Sequence, residues 1–260
     1  MVSRTSARIA LSVWKALILR EALYRLFGSR AAWLWLLLEP VVHVVFLMFL
    51  FTVVRLRVVG GIETPLWLMV GLLAFFMFKR TGLQAMNAVG ANQALFAYRQ
   101  VKPVDTVLTR AALEGFLMLL VAVILFAGAG LFGIGIVPAD PLAVLEAFLG
   151  LWLFGLGFGL MASVASVLVQ EIGRLISLTL IPLYFLSGVI FPIARIPLPY
   201  REWLMLNPIA HGLEGARLGF APYYQAVPEL NIAYLYGCAL FTLFFGLALH
   251  NRFALRLATK

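Results

Sequence analysis

Charge is what this sequence has least of. Only 12% of its 260 residues are Asp, Glu, Lys or Arg, about half the share with which a soluble domain covers its surface. Long stretches carry none at all and the mean hydropathy is +1.02, so a water-soluble core is excluded and lipid must act as the solvent. The single cysteine, Cys238, lies in an apolar run and excludes an intramolecular disulfide or a Cys-based zinc site. His43, His211 and His250 fall in separate segments without H-E-x-x-H or paired-ligand spacing, so metal catalysis has no support. No G-x-x-x-x-G-K-[ST] stretch and not one Gly-Lys pair occurs, which removes the usual phosphate-cradling loop. Ser187 in Ser-Gly-Val does not form a G-x-S-x-G elbow. The amino terminus lacks a compact apolar stretch followed by small residues, so no removable signal peptide is expected.

What is present is apolar helix. Six stretches have about the length that crosses a bilayer: 33–54, 65–89, 109–134, 142–169, 175–192 and 232–250. They predict an all-α integral membrane fold and one domain over 1–260, with an interfacial segment at 1–30, five spans within 33–192, an outer loop at 193–231, the sixth span at 232–250 and a tail at 251–260. The second span is the weakest, because its apolar part ends at Lys79 and Arg80, whose side chains must snorkel or face water. The net charge of +9 is spread around the apolar runs rather than along one stripe, which argues for lipid headgroups and against nucleic acid. Of the 20 Lys and Arg, fifteen fall on the side of the termini and five (Arg55, Arg57, Arg195, Arg201, Arg217) on the other. Positive residues mark the cytoplasm, so both termini are expected there.

Ahead of the first span, Arg4, Arg8, Ser12 and Lys15 recur at helical spacing opposite Ile9, Val13, Trp14, Leu17 and Ile18, an amphipathic pattern that reads as a helix lying in the interface or as a basic topogenic leader. Asn207-Pro208 followed by Gly219 fits an N-cap, a first-turn proline and a helix stop, and Pro197 and Pro199 open a second short segment with Trp203, Leu204 and Leu206. Glu39 and His43 share a face of the first span, either lining a path or packing helices. Glu114 and Glu146, near span ends, read as snorkelling or salt-bridged groups. Trp67, Phe75, Phe76, Tyr184 and Phe185 read as an interfacial belt, the alternative being faces for sugar rings. The polar segment 90–110 has room for a short helix before Pro103, with Asn92, Tyr98, Arg99 and Lys102 as exposed contacts for a soluble partner.

The basic amphipathic start, six spans, LFAYRQVKPVD after the second, PLYFLSGVIFP in the fifth and LNPIAHGLEGAR in the last outer loop resemble the transmembrane subunits of type-2 ABC exporters, chiefly capsular-polysaccharide export permeases of the KpsM kind. The resemblance covers nearly the whole chain. It implies a homodimer in a bacterial inner membrane, bound to two copies of a separate cytoplasmic ATPase that holds the ATP and Mg, so that this chain is no enzyme and binds no cofactor itself. A lipid-linked polysaccharide is threaded along the dimer interface, with a periplasmic adaptor beyond it. The family's ATPase contacts map to 92–105, namely Asn92, Tyr98, Arg99, Lys102 and Asp105, and to the residues before Arg30. Its periplasmic gate maps to 195–219, with Arg201, Trp203, Asn207, His211, Glu214 and Arg217. Substrate-path candidates are Arg25, Arg30, Lys79 and Arg80 for phosphate or acidic sugars, together with Glu39, His43 and Tyr184. The same architecture suits O-antigen, teichoic acid or a small hydrophobic drug as cargo. An intramembrane lipid-modifying enzyme would need clustered acid, base or metal ligands, and Glu39 with His43 is all the sequence offers.

Overall fold

A computed structural model describes residues 6–27, 32–53, 58–98 and 100–259, so Arg30 and Arg99 lie outside the described residues, as does the side chain of Glu39. The chain is helical almost throughout: α1 (Ser6–Phe27), α2 (Ala32–Val53), α3 (Thr64–Met86), α4 (Ala88–Ala91), α5 (Pro103–Leu131), α6 (Pro141–Leu168), α7 (Gln170–Leu186), α8 (Tyr200–Leu204), α9 (Pro208–Phe220), α10 (Ile232–Arg252) and α11 (Ala254–Thr259). The exception to the expected all-α fold is a two-residue antiparallel hairpin, β1 (Val58–Val59) with β2 (Ile62–Glu63), turned by Gly60 and Gly61 at positive φ. Among the described residues four helices, α3, α5, α6 and α10, are long and apolar enough to cross a membrane, and α2 adds a shorter apolar stretch over Pro40–Phe51.

The bundle is organised around α6, which packs most extensively on α10 and α3. Its glycines alternate faces to allow this. A Cβ on Gly155 would lie 2.9 Å from the Phe78 carbonyl of α3, and one on Gly157 would lie 2.7 Å from the Leu243 amide of α10. Backbones thus meet where small residues repeat, the contact that replaces the hydrophobic drive between helices in lipid.

The weakest expected span turns out to be the most enclosed: 83% of the most apolar window of α3 is buried. Trp67 and Phe75 are fully buried and Phe76 nearly so, which overturns the interfacial belt for those three side chains. Hydropathy scores residues singly, and it debits Arg80 for a charge that a buried carboxylate on α5 neutralises.

Boundaries shift for local reasons. Helix α5 begins at Pro103 rather than 109, because proline suits the first turn and Asp105 accepts a hydrogen bond from the Lys102 amide at 3.0 Å. Helix α7 starts at Gln170, one residue after α6 ends, and stops at Leu186, where Gly188 adopts φ +69. Helix α9 is capped as expected, the Asn207 side chain accepting from the Ile209 amide at 3.1 Å. Gly219 does not stop it. That residue lies inside α9, where a Cβ would be 3.0 Å from the Val144 amide, so its smallness serves packing on α6.

Candidate functional site

Helix α1 buries Glu21 against the bundle and leaves Ser12, Lys15 and Arg20 exposed. Leu17 and Glu21 are buried, whereas Leu11, Leu19, Leu23 and Tyr24 are exposed, so the helix presents an apolar face outward and directs ionic contacts to the bundle. For Arg20 and Arg25 this departs from the picture in which the bases reach headgroups, whereas Lys15 is exposed as that picture requires. Arg20 donates to the Asn92 side chain, and Arg25 reaches Glu21 at 3.0 Å, Gln84 at 2.9 Å and Glu114. Glu114, fully buried on α5, also accepts from Arg80 of α3 at 2.6 Å, and Arg110 pairs with Glu21 at 2.7 Å. One carboxylate therefore ties α1, α3 and α5 together. Burial alone would raise the Glu21 carboxyl, but the Arg110 and Arg25 guanidiniums more than offset it and hold its pKa below the ordinary carboxylate value.

Beside this node lies a cavity of about 230 Å3, lined by Pro40 and His43 of α2 and by Phe76, Lys79, Arg80, Leu83 and Gln84 of α3. His43 reaches the Tyr184 hydroxyl of α7 at 3.4 Å and stands edge-on to Phe76. Five substrate-path candidates, Arg25, His43, Lys79, Arg80 and Tyr184, are thus brought into one neighbourhood. Arg25 and Arg80 are engaged by Glu114, which corrects the expectation that both stand ready for phosphate. Gln84, Glu21 and Arg110 went unnoticed in the sequence, although Gln84 follows Arg80 at i+4 and Glu21 precedes Arg25 by the same step.

The connection after α3 does form a short helical element, a 3-10 turn over Gln93–Ala97. Tyr98 is 67% exposed and Lys102 is exposed, as a docking contact requires. Asn92 is not: it is 5% exposed, donates to the Ala88 carbonyl at 2.7 Å and accepts from Arg20. Packing by α1 consumes it. Asp105 caps α5 and accepts from the Trp14 indole at 2.8 Å, so its role is to pin α1. A larger cleft of about 980 Å3 opens beside this segment, its polar lining supplied by Asn87, Gln93, Ser166, Arg174 and Ser177.

At the opposite end the expected gate residues divide. Trp203 is 63% exposed and Arg201 pairs with Glu229 at 2.8 Å. Asn207 donates its amide to Ser187 at 2.8 Å. His211 donates from Nε2 to the Met205 carbonyl at 2.8 Å and accepts at Nδ1 from the Asn231 amide at 3.0 Å, which requires the neutral ring. Burial lowers its pKa further than the Met205 carbonyl and Glu214 raise it. Glu214 and Arg217 are wholly buried, not surface gate charges. Arg217 donates to Glu214 at 3.1 Å and to the Gly188 and Val189 carbonyls at 3.0 Å each, with its guanidinium 3.8 Å over the Trp67 ring. Tyr224, missed in the sequence, donates to Glu214 at 3.0 Å; burial chiefly pushes its hydroxyl up to about 12. This network fastens α9 to α3 and to the turn after α7.

Among the described residues no group of three His, Cys, Asp or Glu is placed to hold a metal ion. Residues 12–221 match the family model of the ABC-2 type transporter. Over 237 residues the chain is 34% identical to the polysialic acid transport protein KpsM of Escherichia coli, covering 91% of this chain and 92% of that one. It is 26% identical to the capsule polysaccharide export inner-membrane protein CtrC of Neisseria meningitidis over 92% of this chain and 90% of that one. Against the capsule polysaccharide export inner-membrane protein BexB of Haemophilus influenzae the identity is 25%, covering 80% and 78%. With a family model matched along most of its length and a relative above 30% identity nearly end to end, this helical membrane chain belongs to the ABC-2 type transporter family.

Proposed function

We propose that the chain is the membrane-spanning subunit of an ATP-driven exporter that carries lipid-linked capsular polysaccharide across a bacterial inner membrane. The near end-to-end similarity to a polysialic acid transport protein carries this reading. In it α2, α3, α5, α6, α7 and α10 are six spans with both termini in the cytoplasm, in keeping with the fifteen-to-five split of Lys and Arg. Two copies line the path. His43 is exposed on α2 one helical turn after Glu39, and polar residues at that spacing on a largely apolar helix suit a face that lines a path. ATP hydrolysis belongs to a separate subunit, which docks on the segment around Tyr98 and Lys102; that segment is continuous with α3 and braced by α1. A periplasmic adaptor receives the polymer at the α8–α9 face.

Deleting the coding sequence in a capsule-producing host should leave polymer inside the cell and none on its surface, as read by a polymer-specific stain on intact and permeabilised cells. Supplying the chain again should restore the surface signal. Undiminished surface capsule in the deletion would overturn the proposal.

A further inference from the structure

We propose that the cavity between α2 and α3 is a phosphate site that takes the headgroup of an anionic lipid, with Lys79 as its charged ligand and Gln84 and His43 as hydrogen-bonding groups. Lys79 stands apart from the cations around it. Arg25, Arg80 and Arg110 each have a carboxylate within ion-pair distance, whereas among the described side chains Lys79 has none and its ammonium lies 5.8 Å from the Phe76 ring. A lysine on so enclosed a helix is costly unless it meets an anion or water. The Gln84 carbonyl oxygen accepts from Arg25, which leaves its amide hydrogens to donate to a ligand oxygen.

Size and depth fix the chemistry. A volume of about 230 Å3 is the share of roughly eight waters at about 30 Å3 each, enough for a phosphate and too little for a sugar polymer. Lys79 follows Pro65 by a helical rise of about 21 Å, so in a hydrocarbon layer of about 30 Å its ammonium lies toward the inner boundary, within reach of headgroups. On α2 near His43, Val44 is buried but Val42 and Val45 are 52% and 55% exposed, so apolar surface borders the cavity as the acyl chain of a lipid phosphate requires. The assignment rests on the exporter reading only for the identity of the native lipid; phosphate-lipid binding is measured separately from export.

The purified chain in detergent is titrated with phosphatidylglycerol or phosphatidylcholine, and retained lipids are counted by native mass spectrometry. Wild type should retain phosphatidylglycerol in preference to phosphatidylcholine. Lys79→Gln should weaken phosphatidylglycerol binding about ten-fold, equivalent to about 1.4 kcal/mol, and Lys79→Arg should restore it. Leu83→Trp, which fills the cavity without touching charge, should also weaken it. Unchanged binding in Lys79→Gln and Leu83→Trp, or equal retention of the two lipids, would overturn the site. Displacement by millimolar inorganic phosphate would assign the cavity to a free anion and overturn the lipid source. Capsule export in the same variants reports on the exporter reading alone, since Lys79-dependent binding stands or falls without it.

Discussion

Glu114→Gln removes the charge on which three helices converge while keeping the shape of the side chain. The carboxylate is fully buried and accepts from Arg80 at 2.6 Å and from Arg25, whose side chains are 17% and 10% exposed. At an effective dielectric of about 20, charges roughly 4 Å apart attract by about 4 kcal/mol per pair. Desolvation offsets much of that in the intact node, but an amide withdraws the shared negative charge from both partly desolvated guanidiniums, of which Arg25 keeps Glu21. Breaking a buried pair costs about 3–5 kcal/mol. For a chain of this length about 2–4 °C of melting temperature goes with each kcal/mol, which puts the loss near 10 °C. Thermal unfolding of purified wild type, Glu114→Gln and Glu114→Gln/Arg80→Gln provides the assay. The double variant should recover part of the loss, because it removes one stranded cation, and non-additivity of the cycle measures the coupling. A single variant that melts within about 1 °C of wild type would refute the ion-pair node.

Two further outcomes follow from the geometry. Burial depresses His211, so the unfolded loop takes up a proton that the folded ring resists; loop stability is present above the ordinary histidine value near 6.5 and is lost as pH falls below it. Hydrogen-exchange protection over 205–231, corrected for the intrinsic pH dependence of amide exchange, should fall from pH 7.5 to 5.5 in wild type and lose that dependence in His211→Gln. Gly157→Leu drives a side chain into the Leu243 amide, 2.7 Å from where its Cβ would lie, and should cost about 1–3 kcal/mol of thermal stability, whereas Gly128→Leu, with nothing within 4 Å, should cost little.

Helix positions were legible in the sequence because apolar runs of bilayer length have few alternative folds, and the Asn207-Pro208 cap of α9 was legible because capping is local. The partners were not. Glu114 reads as a salt-bridged group, yet nothing local says that its cations come from 89 and 34 residues away. Asn92 looks like a surface polar residue until α1 brings Arg20 onto it, a contact across 72 residues. Arg217 counts as an outer-loop charge in a tally of Lys and Arg, whereas Trp67, 150 residues distant, supplies the ring and carbonyl that let it be buried. In each case a long-range contact reversed the exposure that residue type suggests.

These contacts give α3 a particular mechanical position. Near its N-terminal end Trp67 lies beneath Arg217, and 13 residues on, about 20 Å along the axis, Arg80 is held by Glu114. The first clamp joins α3 to α9 and the turn after α7; the second joins it to α1 and α5. Helix α3 then runs almost directly into α4 and the 3-10 turn that precede exposed Tyr98 and Lys102. A displacement applied to that exposed segment meets a buried rod held near one end by the Arg80–Glu114 ion pair and near the other by the Arg217 guanidinium over the Trp67 ring. The rod cannot tilt independently without separating Arg80 from Glu114 or the Trp67 ring from Arg217, each a costly break in a low-dielectric setting. The cheaper response is a rigid movement of α3 together with α9, which couples the exposed segment at Tyr98 and Lys102 to the segment carrying α9 through packed side chains.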